Sequence, residues 1–239
     1  MTNIHVLALS SSRAGNGAYL EAALPMIDEF LGTEFLTIAF IPFASVDSYD
    51  EYAVKVREGL ASLPHIINLV EPGNAKDVID KCDALMVGGG NTFKLLHDIY
   101  GLKIFDLIKS KVEAGIPYIG WSAGSNITGA SIATTNDMPI IQPKSFTSFG
   151  FFPFQINPHY LSQPTEGHHG ETRDQRLAEF IKLQPHMPVI CLPEGTALLR
   201  HADAINFIGE TNGFLLSSGN DGAVTRSVIE TGADISFLL

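Results

Sequence analysis

The fold class is decided by one stretch of the sequence, Ile116-Pro117-Tyr118-Ile119-Gly120-Trp121-Ser122-Ala123-Gly124-Ser125. Its apolar start is typical of a buried strand, and the residues after Gly124 can continue as a helix. Between the two, Gly120, Ser122 and Gly124 form the Gly-x-Ser-x-Gly pattern of a nucleophile elbow, a sharp turn that projects the serine hydroxyl out of the sheet. The glycines leave room for that turn, and the backbone N–H of Ala123 would face a developing oxyanion. The alternative interpretation is a turn of small residues selected for packing alone.

Apolar segments alternate with helix-like segments around this stretch. Strands are predicted at Ile4–Leu9, Leu36–Ile41, Ile66–Val70, Ala84–Val87 and Val189–Leu192. Helices are predicted at 17–31, 50–63, 74–81, 93–100 and 104–114, and Pro25 is expected to kink or divide the first. The alternation predicts one α/β domain over residues 1–239, with a doubly wound, mostly parallel sheet and a few antiparallel strands near the C-terminus. Sites in such folds lie beyond the carboxyl ends of the strands.

Composition limits the possible partners and cofactors. The 239 residues are 45% hydrophobic and 17% charged, which is typical of a globular protein. The net charge of −11 argues against nucleic acid or an anionic membrane surface as a partner. Cys82 and Cys191 lie outside any CxxC or His/Cys cluster, so neither a metal site nor another cofactor is predicted. The N-terminus lacks the pattern of a signal peptide, and no apolar run is long enough for a membrane span, so we expect a cytoplasmic protein.

A second glycine-rich turn, Gly88–Gly90, follows the Ala84–Val87 strand. It matches neither the P-loop nor the GxGxxG pattern. Three glycines at a strand-to-helix turn free backbone N–H groups to face a ligand, which predicts a cradle for an oxyanion or a carboxylate. We therefore count Gly89 and Gly90 as oxyanion-hole candidates and the following Asn91 as a substrate-binding candidate, although a turn made only for packing would look the same.

Several motifs together resemble one known family. They are Gly88–Phe93, Gly120–Gly124, Thr134–Pro139, Asn157–Tyr160 and Gly170–Arg173. Their order and composition resemble the S51 family of serine peptidases, in particular the α-aspartyl dipeptidases of the peptidase E type and, more distantly, the cyanophycinases. The resemblance extends from the first strand to about Gly209. It implies a flavodoxin-like fold similar to the class I glutamine amidotransferases, a serine in place of their cysteine, and hydrolysis of dipeptides with an N-terminal aspartate in the cytoplasm without metal.

The resemblance also implies roles for individual residues. Ser122 would be the nucleophile, His159 the general base and Glu194 the acid that orients the histidine. Asp137 is the competing acid. We favour Glu194 because it follows a strand that we assign to the central sheet, whereas Asp137 lies in a polar loop. Without the resemblance, His159 would be no better a candidate for the base than His168 or His169.

A substrate aspartate needs a cation near its side chain. Arg173 and Arg176 are the candidates, because a guanidinium can hold a carboxylate through two parallel hydrogen bonds. Alternatively, both arginines pair with acidic neighbours at the start of their helix. We expect a monomer or a homodimer that acts on small peptides. Two other functions stay open, an S51-type acyl hydrolase with another acidic substrate, such as a cyanophycinase-like enzyme, and a non-catalytic ligand-binding protein of the same fold.

Overall fold

The structure is a computed structural model that describes residues 3–161, 170–219 and 221–239. The strands described are β1 (His5–Leu9), β2 (Thr37–Ile41), β3 (Ile66–Leu69), β4 (Ala84–Val87), β5 (Tyr118–Trp121), β6 (Gln155–Asn157), β7 (Val189–Cys191), β8 (Thr196–His201), β9 (Ala204–Gly209), β10 (Gly213–Ser218) and β11 (Val224–Ile229). The helices described are α1 (Leu24–Leu31), α2 (Tyr49–Gly59), α3 (Ala75–Asp80), α4 (Thr92–Gly101), α5 (Phe105–Glu113), α6 (Ala123–Asn126) and α7 (Arg173–Leu183), with a final 3₁₀ turn at Ser236–Leu238.

The larger sheet has the strand order β3-β2-β4-β5-β1-β8-β9. Its first five strands pair in parallel, whereas β8 and β9 are antiparallel to their neighbours. Alternate residues of each strand point to opposite faces, so β1 buries Leu7 and Leu9 under α1 and α2 and buries Val6 and Ala8 under helices α3 to α5. Helices on both faces of a mostly parallel sheet confirm the predicted α/β, doubly wound fold class.

A second, smaller sheet with the order β11-β10-β7-β6 was not predicted. Here β6 and β7 pair in parallel, and β10 pairs antiparallel with both β7 and β11. The Val189–Leu192 segment was assigned to the central sheet from its apolar residues, and that assignment is wrong. An apolar run predicts a buried strand, but the strand's neighbour is set by contacts that are distant in the sequence.

The first helix is shorter than predicted. It begins at Leu24, and Pro25 lies in its first turn, where a missing backbone N–H costs no helical hydrogen bond. Pro25 therefore starts the helix and does not kink it. The preceding residues form turns, one of which places Leu20 at φ 61°.

Aromatic side chains fill the space between the larger sheet and the segment after α6. Phe149, Phe151, Phe152 and Phe154 are fully buried, and Phe149 and Phe151 contact the ring of Tyr118 on β5. This packing fixes the segment that leads into β6. Within the residues that the structure describes, no helix is both long and apolar enough to cross a lipid bilayer.

Candidate active site

Ser122 stands at a sharp turn between β5 and α6. Its backbone adopts φ 55° and ψ −111°, a conformation that costs a side-chain-bearing residue free energy. A Cβ on Gly120 would lie 2.4 Å from the carbonyl oxygen of Gly124, and a Cβ on Gly124 would lie 2.1 Å from that of Val87. Backbone contacts on both sides of the turn therefore require the two glycines that flank Ser122.

A hydrogen-bonded chain of three side chains starts at this serine. His159 Nε2 lies 2.9 Å from Ser122 Oγ, and His159 Nδ1 lies 3.1 Å from Glu194 Oε1. A neutral imidazole with its proton on Nδ1 satisfies both bonds, because it donates to the carboxylate and accepts from the hydroxyl. The His159 and Glu194 side chains are 40% and 44% exposed, so a substrate can reach the imidazole. This is the arrangement in which a histidine can remove a proton from a serine.

The small sheet explains why histidine and glutamate meet. His159 follows β6 and Glu194 follows β7, and these two strands are parallel neighbours whose carboxyl ends lie side by side. The competing acid, Asp137, makes different contacts. Its Oδ2 accepts hydrogen bonds from the backbone N–H of Thr92 at 2.7 Å and from the hydroxyl of Thr135 at 3.1 Å. The structure thus brings Glu194, and not Asp137, to the imidazole.

Two turns beside the serine contain backbone N–H groups that have no acceptor within the described residues. A Cβ on Gly89 would lie 2.9 Å from the Cβ of Ser122, so the glycine turn after β4 packs directly against the nucleophile elbow. Among the residues that the structure describes, the N–H groups of Gly89, Gly90 and Ala123 donate to no protein acceptor. They are therefore available to an oxyanion formed at Ser122.

A small cavity of about 90 Å³ opens beside Ser122 and His159. It is also lined by Asp137, Arg173 and Asn126. Arg173 is the first residue of α7, and its Nη1 is buried and has no hydrogen-bond partner in the part of the chain that the structure describes. Burial, followed by the positive charge of a neighbouring arginine, lowers the pKa of the Arg173 guanidinium, which still leaves this group charged at neutral pH. A half-buried guanidinium whose Nη1 has no hydrogen-bond partner among the described residues, in a cavity beside the Ser122 hydroxyl, is suited to bind an anion.

Comparison with known proteins agrees with this geometry. The model of peptidase family S51 matches residues 6–208 of the chain. The chain belongs to peptidase family S51. Peptidase E of Shewanella amazonensis is 47% identical over 239 residues, which cover 99% of this chain and 100% of that protein. Peptidase E of Shewanella putrefaciens is 46% identical over 238 residues and is covered to 99%, as is this chain.

Solved structures support the fold of this S51 peptidase. A putative peptidase E from Listeria monocytogenes superposes with a TM-score of 0.68 at 22% identity, covering 87% of this chain and 99% of the other. A peptidase from an acI-B1 actinobacterium gives a TM-score of 0.65 at 16% identity, covering 99% and 98%. The family match confirms the resemblance inferred from the motifs, and the superpositions agree with the flavodoxin-like fold class.

Other residues predicted for the site lie outside the small cavity. Arg176 is 66% exposed, and its Nε lies 3.8 Å from Glu171 Oε2. Asn91 caps α4, because its Oδ1 accepts from the N–H of Lys94 at 3.0 Å, and its Nδ2 donates to the carbonyl oxygen of Met138. The remaining predicted candidates for the base, His168 and His169, lie outside the described residues of this S51 peptidase.

Two further residues support the site, and the sequence analysis missed both. The buried Ser10 hydroxyl, at the end of β1, donates to the carbonyl oxygen of Leu192 at 2.8 Å and accepts from the N–H of His159 at 3.0 Å. Its place at the carboxyl end of a central parallel strand could have identified it. Asn136 Nδ2 donates to the carbonyl oxygen of Pro158 at 2.9 Å, which ties the polar 134–137 loop to the turn that holds the histidine. No local pattern predicts that contact.

Proposed function

We propose that this S51 peptidase is a serine dipeptidase that hydrolyses dipeptides with an N-terminal aspartate through an acyl-enzyme on Ser122. The observation that supports this substrate most directly is the buried Nη1 of Arg173, which no described residue hydrogen-bonds and which belongs to a side chain lining the cavity with Ser122 and His159. A cavity of about 90 Å³ suits a short acidic side chain better than a large one. The name peptidase E of the two Shewanella relatives is in keeping with a peptidase.

In this mechanism Ser122 Oγ attacks the peptide carbonyl carbon while His159 Nε2 takes the hydroxyl proton. The carbonyl oxygen becomes an oxyanion, which accepts hydrogen bonds from the N–H of Ala123 and from the Gly89–Gly90 turn. Collapse of the intermediate breaks the C–N bond, and the imidazolium gives its proton to the leaving amine. Water, deprotonated by the same imidazole, then hydrolyses the ester, which releases aspartate and restores Ser122. The Glu194 carboxylate holds the Nδ1 proton and stabilises the imidazolium in both halves of the reaction.

The substrate's free α-ammonium group also needs acceptors near the nucleophile. Asp137 Oδ1 has no hydrogen-bond partner among the described residues, although Oδ2 of the same carboxylate has two. Asn126 Oδ1 is buried and likewise unpartnered. Both side chains line the cavity that holds Arg173. In this proposal the cavity binds both charged groups of the aspartyl residue. Arg173 binds its side-chain carboxylate, and Asp137 and Asn126 accept hydrogen bonds from its ammonium group.

The test is a hydrolysis panel of Asp-Leu, Glu-Leu, Asn-Leu and N-acetyl-Asp-Leu with purified enzyme. We expect cleavage of Asp-Leu, with large losses for the other three. Glu-Leu is one methylene too long, Asn-Leu lacks the charge that pairs with Arg173, and the acetylated peptide lacks the ammonium. If none of the four peptides is cleaved, isoaspartyl peptides and polymeric aspartate are assayed next, and their cleavage would favour the cyanophycinase-like alternative. Binding without turnover would favour a ligand-binding protein and would contradict the proposal.

A further inference from the structure

A second and much larger cavity lies across the Gly89–Asn91 turn from the small one. Its volume is about 890 Å³. It is formed by the loops that follow β1, β2 and β4 at the carboxyl edge of the larger sheet, together with α2 and Ile140. Its lining includes two cations, Arg13 and Lys55, the apolar side chains of Val46 and Ile140, and Gly89 of the glycine turn. We call this cavity the outer cleft.

The outer cleft is continuous with the nucleophile elbow. Gly89 lines the cleft and also packs against Ser122. The hydroxyl of Tyr52, another lining residue, donates to the carbonyl oxygen of Gly89 at 3.0 Å and accepts from Trp121 Nε1 at 3.1 Å. A single phenol therefore connects the wall of the cleft, the glycine turn and the residue that precedes the nucleophile.

The loop that carries Arg13 also contacts the segments that hold the base and its acid, because Ala14 Cβ lies 3.4 Å from the position that a Cβ on Gly195, next to Glu194, would take. Arg13 lies three positions after Ser10, whose hydroxyl accepts the backbone N–H of His159. The leaving amine receives its proton from His159 in the proposed mechanism. The leaving residue must therefore start near this imidazole and extend away from the small cavity, which is occupied by the aspartyl residue.

The surface of the cleft matches the leaving half of a dipeptide. Val46 and Ile140 at its rim are 67% and 58% exposed, which offers apolar contact to a side chain. Arg13 and Lys55 are its cations, and neither is paired with an acid among the residues that the structure describes. The cleft contains carboxylates as well, those of Asp47 and Glu51. The cations are the groups that can bind the C-terminal carboxylate of a dipeptide.

We propose that the outer cleft binds the leaving residue of the substrate and that the Arg13 guanidinium receives its terminal carboxylate. This inference rests on the proposed function. In a dipeptide the terminal carboxylate is one residue from the leaving nitrogen, within about 4 Å, so the cation must lie near the base. Arg13 belongs to the loop that touches His159, whereas Lys55 lies on α2. A guanidinium can also hold a carboxylate through two bonds. A longer peptide has an amide at this point, so the contact would favour dipeptides.

The test measures the ratio of kcat/KM for Asp-Leu to kcat/KM for Asp-leucinamide, which lacks only the terminal carboxylate. The wild-type enzyme is expected to prefer Asp-Leu by about 10- to 100-fold, the range for hydrogen bonds to a charged group. The Arg13→Ala variant is expected to bring the ratio close to 1 by losing activity on the free acid, and Arg13→Lys to keep part of the preference. Arg13 is exposed, so the variants should fold, which circular dichroism checks.

The Lys76→Ala variant serves as the charge-matched control, because Lys76 is an exposed lysine on α3 that lines neither cavity. It should keep the wild-type ratio. An unchanged ratio in Arg13→Ala, or a loss of preference in Lys55→Ala alone, would overturn the assignment to Arg13. A wild-type ratio near 1 would overturn the carboxylate contact altogether. If the wild-type enzyme cleaves neither substrate, the proposed function itself is contradicted. The same assay distinguishes that result from a changed ratio, which requires that both substrates be cleaved.

Discussion

The contact between His159 and Glu194 gives a quantitative test of the proposed mechanism. Truncating Glu194 to alanine removes a hydrogen bond of 3.1 Å to a carboxylate that is 44% exposed. Hydrogen bonds to charged groups contribute about 1.5–3 kcal/mol. Solvent screening at this exposure places the value at the lower end, about 1.5–2 kcal/mol. We therefore expect kcat for Asp-Leu to fall by about 10- to 30-fold in Glu194→Ala, far less than for a buried acid in the same role.

Glutamine at this position separates orientation from charge. The side-chain carbonyl of Glu194→Gln can still accept the Nδ1 proton, so the tautomer is kept and only the charge is lost. Charged hydrogen bonds are about twice as strong as neutral ones, which predicts a loss of about 3- to 6-fold. Steady-state kinetics on both variants, with a thermal melt to confirm folding, checks the series. If Glu194→Ala stayed within about twofold of wild type while Asp137→Asn lost kcat, Asp137 would be the orienting acid and this reasoning would be refuted.

Three further predictions concern the elbow and the small cavity. Ser122→Ala should abolish turnover and stay folded. Ser122→Gly should melt at a higher temperature than Ser122→Ala, with a free energy of unfolding about 1–2 kcal/mol larger, because glycine adopts a φ of 55° without strain. Equal melting temperatures would argue against strain at this position. Gly124→Ala should lower the free energy of unfolding by about 3 kcal/mol or more in chemical denaturation, because the new Cβ would meet the backbone of Val87. Gly101→Ala should be nearly neutral, because beyond its own helix and chain neighbours no described atom lies within 4 Å of the new Cβ. Arg173→Leu should raise KM for Asp-Leu by about 10-fold or more and Arg173→Lys by less; an unchanged KM in both variants would exclude this arginine from substrate binding.

Much of the fold can be predicted from local sequence patterns. The apolar runs of the first five strands, with helix-like segments between them, were sufficient to predict the parallel sheet, because each βαβ unit is encoded over a short span of sequence. The Gly-x-Ser-x-Gly pattern placed Ser122 at a turn for the same reason. Pro25 was misread as a helix kink because its preference for a first helical turn depends on where the helix begins.

Local patterns do not predict the small sheet or the side-chain contacts of the site. β6 is only three residues long, and its partner β7 is more than thirty positions later, so no local pattern pairs them. Yet this pairing places His159 beside Glu194. The expected place of the preceding strand in the central sheet, on which the preference for Glu194 rested, is wrong, because β7 belongs to the smaller sheet. The contact of Tyr52 with the glycine turn joins α2 to the loop after β4, and it too depends on tertiary packing.

The Ser10 hydroxyl described above has a consequence for how activity is lost. Ser122, the proposed nucleophile, follows a strand of the larger sheet, whereas His159 and Glu194, the proposed base and its acid, follow strands of the smaller one. The buried hydroxyl of Ser10 bonds to backbone groups of both loops that hold the second pair, at His159 and Leu192. Catalysis thus depends on the alignment of two bodies, and a slip of about 1 Å between them would separate Ser122 from the imidazole before either sheet melts. The turnover rate therefore reports on the packing between the two sheets. In a denaturant titration it should decline at a lower denaturant concentration than the helical circular-dichroism signal does.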